Sequence, residues 1–148
     1  MKICFVVNSV ESEKSGTTVF IMFEAWKRKH EVFIMGVGDF NYNNNQELTK
    51  NAKPETPQEF IEMLKSEKAK IKKVSVNELD VLFIRNNPTE EDADRQWAEH
   101  SGVAFGRMVQ QEGVLVLNDA YALSNAFIDK LYFEELPSSI KPASLITR

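Results

Sequence analysis

The run Ile3-Cys4-Phe5-Val6-Val7 is apolar at every position and rich in β-branched residues, with no alternation that would give it a wet face. A strand of that kind has to be covered on both sides, the condition of a central strand in a parallel sheet flanked by helices. Leu79-Asp80-Val81-Leu82-Phe83-Ile84 and Val114-Leu115-Val116-Leu117-Asn118 repeat the signal, and His30-Glu31-Val32-Phe33-Ile34-Met35-Gly36 adds another short run. Between the first two runs in chain order, Thr17 or Thr18 can cap a helix carrying Phe20, Ile21, Phe23, Ala25 and Trp26, closed by the cationic turn Lys27-Arg28-Lys29-His30. The first third therefore predicts β-α-β with a right-handed crossover.

The stretch from Gly36 to Pro57 is the least regular, with Asn41, Asn43, Asn44 and Asn45 around Tyr42; it predicts either a hairpin or a mobile loop. Pro57 then starts a helix striped by Phe60, Ile61, Met63 and Leu64 and running to about Ala69. Val74 and Val76 predict a short strand or an extended lead into the Leu79–Ile84 strand. The acidic start Thr89-Glu90-Glu91-Asp92 predicts a long helix to about Gln111, stopped by Gly113. A last helix spans Ala122 to Phe133, Pro137 ends it, and Ser144 to Arg148 reads as the beginning of another strand. The class is α/β: an open, mainly parallel, Rossmann-like sheet with helices on both faces, in one domain over residues 1–148.

Composition narrows the functions. Leu, Ile, Val and Phe make 42 of 148 residues, enough to build a core without a metal or disulfide staple. The single Cys4 lies inside the first strand, where it packs as a small hydrophobe rather than acting as a nucleophile, and it fits a reducing cytoplasm. The start of the chain turns polar at Asn8, too soon for a signal peptide, and no apolar run reaches the ~18 residues that a membrane span needs. A net charge of −4 argues against nucleic acid as a partner. Lys65, Lys68, Lys70, Lys72 and Lys73 form one basic cluster, expected to be a solvated helix end.

In sheets of this class ligands bind at strand carboxyl ends, so the informative residues are Asn8-Ser9, Gly36-Val37-Gly38-Asp39, Arg85-Asn86-Asn87-Pro88 and Asn118-Asp119. No G-x-G-x-x-G follows the first strand and no Walker phosphate loop occurs. Gly36-Val37-Gly38 reads as a turn, His30 and His100 stand apart without metal-ligand spacing, and the acidic run Glu90-Glu91-Asp92-Asp94 suits a helix dipole better than Mg²⁺. Arg85 directly follows an apolar strand and is the side chain suited to gripping a carboxylate in two places; its alternative role is an ion pair with Glu90 or Asp92. Ser15-Gly16-Thr17-Thr18 can offer hydroxyls and N–H groups to an anion, as a flavodoxin phosphate loop does, or simply cap the helix.

Read in order, Met1-Lys2-Ile3-Cys4-Phe5-Val6-Val7-Asn8, Thr17 to Ala25, His30-Glu31-Val32, Leu79 to Pro88, Gly113 to Asn118, Asp129-Lys130-Leu131-Tyr132-Phe133 and Pro142 to Arg148 resemble the N-terminal half of a prokaryotic-type glutathione synthetase, an ATP-grasp ligase. The resemblance implies a pre-ATP-grasp domain with a catalytic ATP-grasp domain downstream of Arg148. It implies joining of γ-glutamylcysteine to glycine through an acyl phosphate, with ATP and Mg²⁺ as cofactors of the full-length enzyme and none held tightly by this chain, which is expected to be inactive by itself. Carried over residue by residue, Arg85 would contact the peptide substrate, with Asn8, Ser9 and Asn87 on the substrate loops, and Lys130 would meet ATP phosphate from the hinge. The sequence departs from the family at Asn86-Asn87-Pro88-Thr89, where K-D-P-P is usual, and at Asn8, where Asp is usual, so both loops carry less charge. A related ligase for another carboxylate and amine, and a stand-alone flavodoxin-like binding module, are the alternative readings. The implied partners are a small peptide or amino acid and the downstream domain; self-association is left open.

Overall fold

The computed structural model describes residues 1–39, 45–48, 53–66, 69–87, 95, 98, 100–128, 137 and 139. In chain order the elements are β1 (Lys2–Val7), α1 (Thr17–Lys27), β2 (Glu31–Gly36), β3 (Asn45–Leu48), α2 (Pro57–Lys65), β4 (Ala69–Lys72), β5 (Val81–Ile84), α3 (Ser101–Gln111), β6 (Leu115–Leu117) and α4 (Ala120–Ile128). They form one sheet in the order β4-β3-β2-β1-β5-β6. β2, β1, β5 and β6 run parallel, as the apolar runs predict, while β3 and β4 are added antiparallel at one edge.

β1 is central and alternates its side chains between two cores. Ile3, Phe5 and Val7 face one cluster with Val19, Met22 and Phe23 of α1 and Phe60, Ile61 and Leu64 of α2. Cys4 and Val6 face the other, with Phe33, Leu82, Ile84, Val109 of α3 and Ala120 of α4. The helices thus cover both faces. Cys4 is 1% exposed, and burial pushes its thiol up to about 12, so it stays protonated and inert at neutral pH.

Several expectations are corrected. Of the two readings of Gly36 to Pro57 the structure has the hairpin: Asn45 begins β3, which pairs antiparallel with β2, whereas Asn41, Asn43 and Asn44 lie outside the described residues. The second helix stops at Lys65, four residues short of Ala69, because the Ser66 hydroxyl turns back on the Met63 carbonyl at 2.7 Å. Beyond it Lys70 and Lys72 belong to a strand and Lys73 follows it, while Lys68 lies outside the described residues. Lys72 lies on β4 and pairs with Glu31 at 3.5 Å and Glu47 at 3.6 Å, a charged edge of the kind that discourages pairing with other chains. Of the short strand or extended lead expected at Val74 and Val76, the strand lies earlier, at Ala69–Lys72, Ser75 is extended, and Val76–Glu78 forms a 3₁₀ turn. The long helix expected from Thr89 is described only from Ser101, with Arg95 and Ala98 in 3₁₀ geometry; the Ser101 hydroxyl ties the start of α3 to the Ala98 carbonyl. The last helix starts at Ala120 because Asp119 caps it, accepting from the Ala122 N–H at 2.7 Å.

The end of α1 carries a local cost. Lys29 sits at φ 67, and its N–H and that of His30 return to the carbonyls of Trp26 and Ala25, the double-bonded helix ending that glycine suits best. Lys29→Gly should raise the unfolding free energy by about 0.5 to 1 kcal/mol, relief of left-handed strain exceeding the added freedom of the unfolded chain. Urea unfolding of both proteins checks this.

Candidate functional site

β1 has its successor β2 on one side and β5 on the other, so the connections diverge there and leave a crevice at the carboxyl ends of β1 and β5. Asn8 leaves β1 at that point, and Arg85-Asn86-Asn87 leaves β5. The two loops are locked together by one side chain. Asn8 Nδ2 donates to the Asn87 carbonyl at 2.7 Å, and the Asn87 N–H donates to Asn8 Oδ1 at 2.7 Å. An aspartate at this position could accept the second bond but not donate the first. Asn118, leaving β6, performs a similar service from the other side by donating to the Ile84 carbonyl at 2.8 Å. Asn8, Arg85 and Asn118 therefore share one edge of the sheet, as the parallel order requires.

The Asn8–Asn87 bridge separates two clefts. One, of about 290 Å³, is lined by Arg85, Asn86, Asn87 and Asn118 with the apolar Val103 and Leu123. The other, of about 300 Å³, is lined by Asn8, Ser9, Glu11 and Arg95 and by the turn after β2. The four substrate-loop residues expected from the sequence are thus brought to one edge but divided, Asn8 and Ser9 to one cleft and Arg85 and Asn87 to the other. Lys130 lies outside the described residues.

Arg85 is half-buried and held from two directions. Its Nε donates to Thr18 Oγ1 at 3.1 Å, and its guanidinium lies 5.7 Å from the centre of the Phe83 ring. Neither contact is a carboxylate, and Glu90 and Asp92, the ion-pair partners considered from the sequence, lie outside the described residues. Thr18 is the second residue of α1, so the guanidinium stands at that helix's N-terminus. Gly16 is the N-cap, with no side-chain cap bond and no acidic residue in the first turn, and the first helical bond runs from the Phe20 N–H to the Gly16 carbonyl. The amides of residues 17–19 therefore have no acceptor within the helix, and the dipole's positive end adds to the arginine's charge. The two anion-binding signals in the sequence, Ser15 to Thr18 and Arg85, converge here.

The Asn86 amide is buried beside this cleft with neither its nitrogen nor its oxygen hydrogen-bonded, and a Cβ on Gly102 of α3 would collide with it. Buried polar groups without partners are uncommon and cost about 1 to 3 kcal/mol each. Gly102 thus lets α3 approach the β5 loop.

In the second cleft, Arg95 donates through Nη2 to the Asn8 carbonyl at 3.0 Å. Asp39 Oδ2 accepts from the Gly36 N–H at 3.0 Å, and the Asp39 N–H returns to the Gly36 carbonyl at 3.0 Å, fixing the turn expected at Gly36-Val37-Gly38. Ser9 donates to Glu11 at 2.8 Å. Glu11's own backbone N–H, the Ser9 hydroxyl and the nearby Arg95 and Lys65 charges hold its carboxyl below the usual range against the opposing effect of burial. Arg95 is the residue that reading the sequence misses. It is the one basic side chain in the acidic stretch Glu90 to Glu99, a cue hidden by treating that stretch as a helix start.

Among the described residues no three of His, Cys, Asp or Glu stand together where a metal ion could be held. Among them also, no helix is long and apolar enough to cross a membrane. Residues 1–123 match the family model of the prokaryotic glutathione synthetase N-terminal domain. No curated protein matches the chain.

Proposed function

The chain belongs to the prokaryotic glutathione synthetase N-terminal domain family, and from that premise we propose that it is the substrate-binding domain of an ATP-dependent ligase that joins γ-glutamylcysteine to glycine. The observation that carries this reading is Arg85, fixed by Phe83 and Thr18 at the open N-terminus of α1 and at the sheet's switch point. That combination suits a carboxylate, which the guanidinium can meet in two places while the helix amides face the same anion.

In the proposed reaction the cysteinyl carboxylate takes the γ-phosphoryl group of ATP and releases ADP. The glycine amine then attacks the acyl carbon, losing a proton, and phosphate leaves as the new amide bond forms. Mg²⁺ would neutralise charge on the transferring phosphoryl group; the described residues offer it no ligand cluster, so no step is assigned to it on this chain. Here the chain's part is to bind and orient the peptide. The ATP-grasp domain expected downstream would supply the phosphate cradle, with Lys130 reaching ATP phosphate from the hinge. The cytoplasm, where ATP and reduced thiols are available, is the proposed location.

This division of labour predicts that the 148-residue chain neither hydrolyses ATP nor binds it with micromolar affinity, because one lysine cannot replace a cradle of amides. Calorimetric titration of the chain with ATP should give no saturable heat at micromolar concentration. A micromolar dissociation constant would place nucleotide binding on this domain and defeat the proposal.

A further inference from the structure

Resting on that reading, we infer that the cleft between the β1 and β2 ends binds the α-amino acid head of the peptide, its ammonium and α-carboxylate together, leaving Arg85 for the other carboxylate. The cleft is built for both signs of charge. Arg95, Glu11 and Asp39 all line it. A simple anion would meet two carboxylates here and a simple cation would meet the arginine, whereas a zwitterion offers a partner to both signs.

The walls are also fixed in place. Arg95 is tied to the Asn8 carbonyl, Asp39 is tied to Gly36, and Glu11 is tied to Ser9. Groups already held in position lose little freedom on binding. At Gly36 a Cβ would approach Asp39 Oδ2 to 3.0 Å and the Asn8 carbonyl to 3.5 Å, so any larger residue would narrow the space. At about 300 Å³ the cleft accommodates a single amino-acid head with its first methylenes. Asn8 lines this cleft and Asn87 lines the Arg85 cleft, so an extended dipeptide crossing the bridge between them would place one charged end on each side.

L-Glutamine is the probe that isolates this contact, since it carries the zwitterionic head and a γ-amide but no second carboxylate for Arg85. Calorimetry on the 148-residue chain should detect L-glutamine with a dissociation constant in the millimolar range. N-Acetyl-L-glutamine, without the ammonium, should bind about tenfold more weakly, as should L-glutamine to Arg95→Gln, the loss expected for one hydrogen bond to a charged group. Because Arg95 also braces the Asn8 carbonyl, Glu11→Gln serves as the second variant; its side chain is exposed, it keeps an acceptor for Ser9, and it should weaken L-glutamine similarly. No binding at about 20 mM L-glutamine, or binding that neither substitution nor acetylation weakens, overturns the assignment. If these arms behave as expected but γ-glutamylcysteine binds no more tightly than L-glutamine, the role given to Arg85 fails and the assignment of this cleft stands.

Discussion

Arg85→Lys should weaken binding of an acidic dipeptide to this domain by about 1.5 to 3 kcal/mol, roughly ten- to a hundredfold in dissociation constant, the range for hydrogen bonds to a charged group. Lysine keeps the charge but replaces a planar fork with a single hydrated ammonium, and it loses the flat face that lies on the Phe83 ring. The Thr18 hydroxyl also loses its fixed donor, so the new cation is no longer anchored at the α1 N-terminus. Stability should change little: Arg85 is only half-buried, and an exposed pairing contributes at most ~1 kcal/mol. Measuring dipeptide affinity and the thermal midpoint on the same variant separates the roles. An unchanged affinity with a lowered midpoint would make Arg85 a structural residue.

Phe60→Ala should destabilise the domain by about 3 to 5 kcal/mol, a fall in Tm of roughly 6 to 20 °C at this chain length. Phe60 is fully buried, with its ring 5.8 Å from both the Phe23 and Trp26 rings, so it joins α2 to α1 over one face of the sheet. Truncation leaves a cavity between two helices that the sheet holds in place, where little collapse can occur. The loss is a large part of the 5 to 15 kcal/mol typical of a domain. Thermal unfolding followed by circular dichroism checks it; a change below about 1 kcal/mol would mean that α2 packs only loosely on α1.

The parallel half of the fold was legible because its strands are buried on both faces and need continuous apolar residues, as in Ile3 to Val7 and Val81 to Ile84. β4 escaped notice, and β3 was legible only as one arm of the hairpin alternative, for the opposite reason. Asn45-Gln46-Glu47-Leu48 and Ala69-Lys70-Ile71-Lys72 form the antiparallel edge, held by backbone pairing and the Lys72 ion pairs, and with few apolar residues in their sequences such segments read as turn and helix end. β6 shows the limit of the apolar rule. Val116 is buried against α3 and α4, yet Leu115 and Leu117 are 58% and 41% exposed because among the described residues helices cover β6 on one face.

The site was legible as an edge but not as two clefts. Strand-end position identified Asn8, Ser9, Arg85 and Asn87, whereas their division depends on the reciprocal Asn8–Asn87 bonds across 79 positions of sequence, which no local pattern announces. Thr18 illustrates the same point. Its residue type suggests a helix cap, but its hydroxyl accepts from Arg85 across 67 positions while Gly16 takes the cap place.

The most direct test of the central claim is a map of amide chemical shifts on the chain titrated with γ-glutamylcysteine. The sheet has a rival site at its opposite edge, a cleft of about 460 Å³ lined by Asn77, Asp80, Glu112 and Gly113. Binding at the carboxyl edge predicts saturable shifts at Ser9, Asn87, Thr18 and Asn118, with Asn77, Asp80 and Gly113 unmoved. Shifts confined to the opposite cleft, or none at millimolar peptide, would contradict the account.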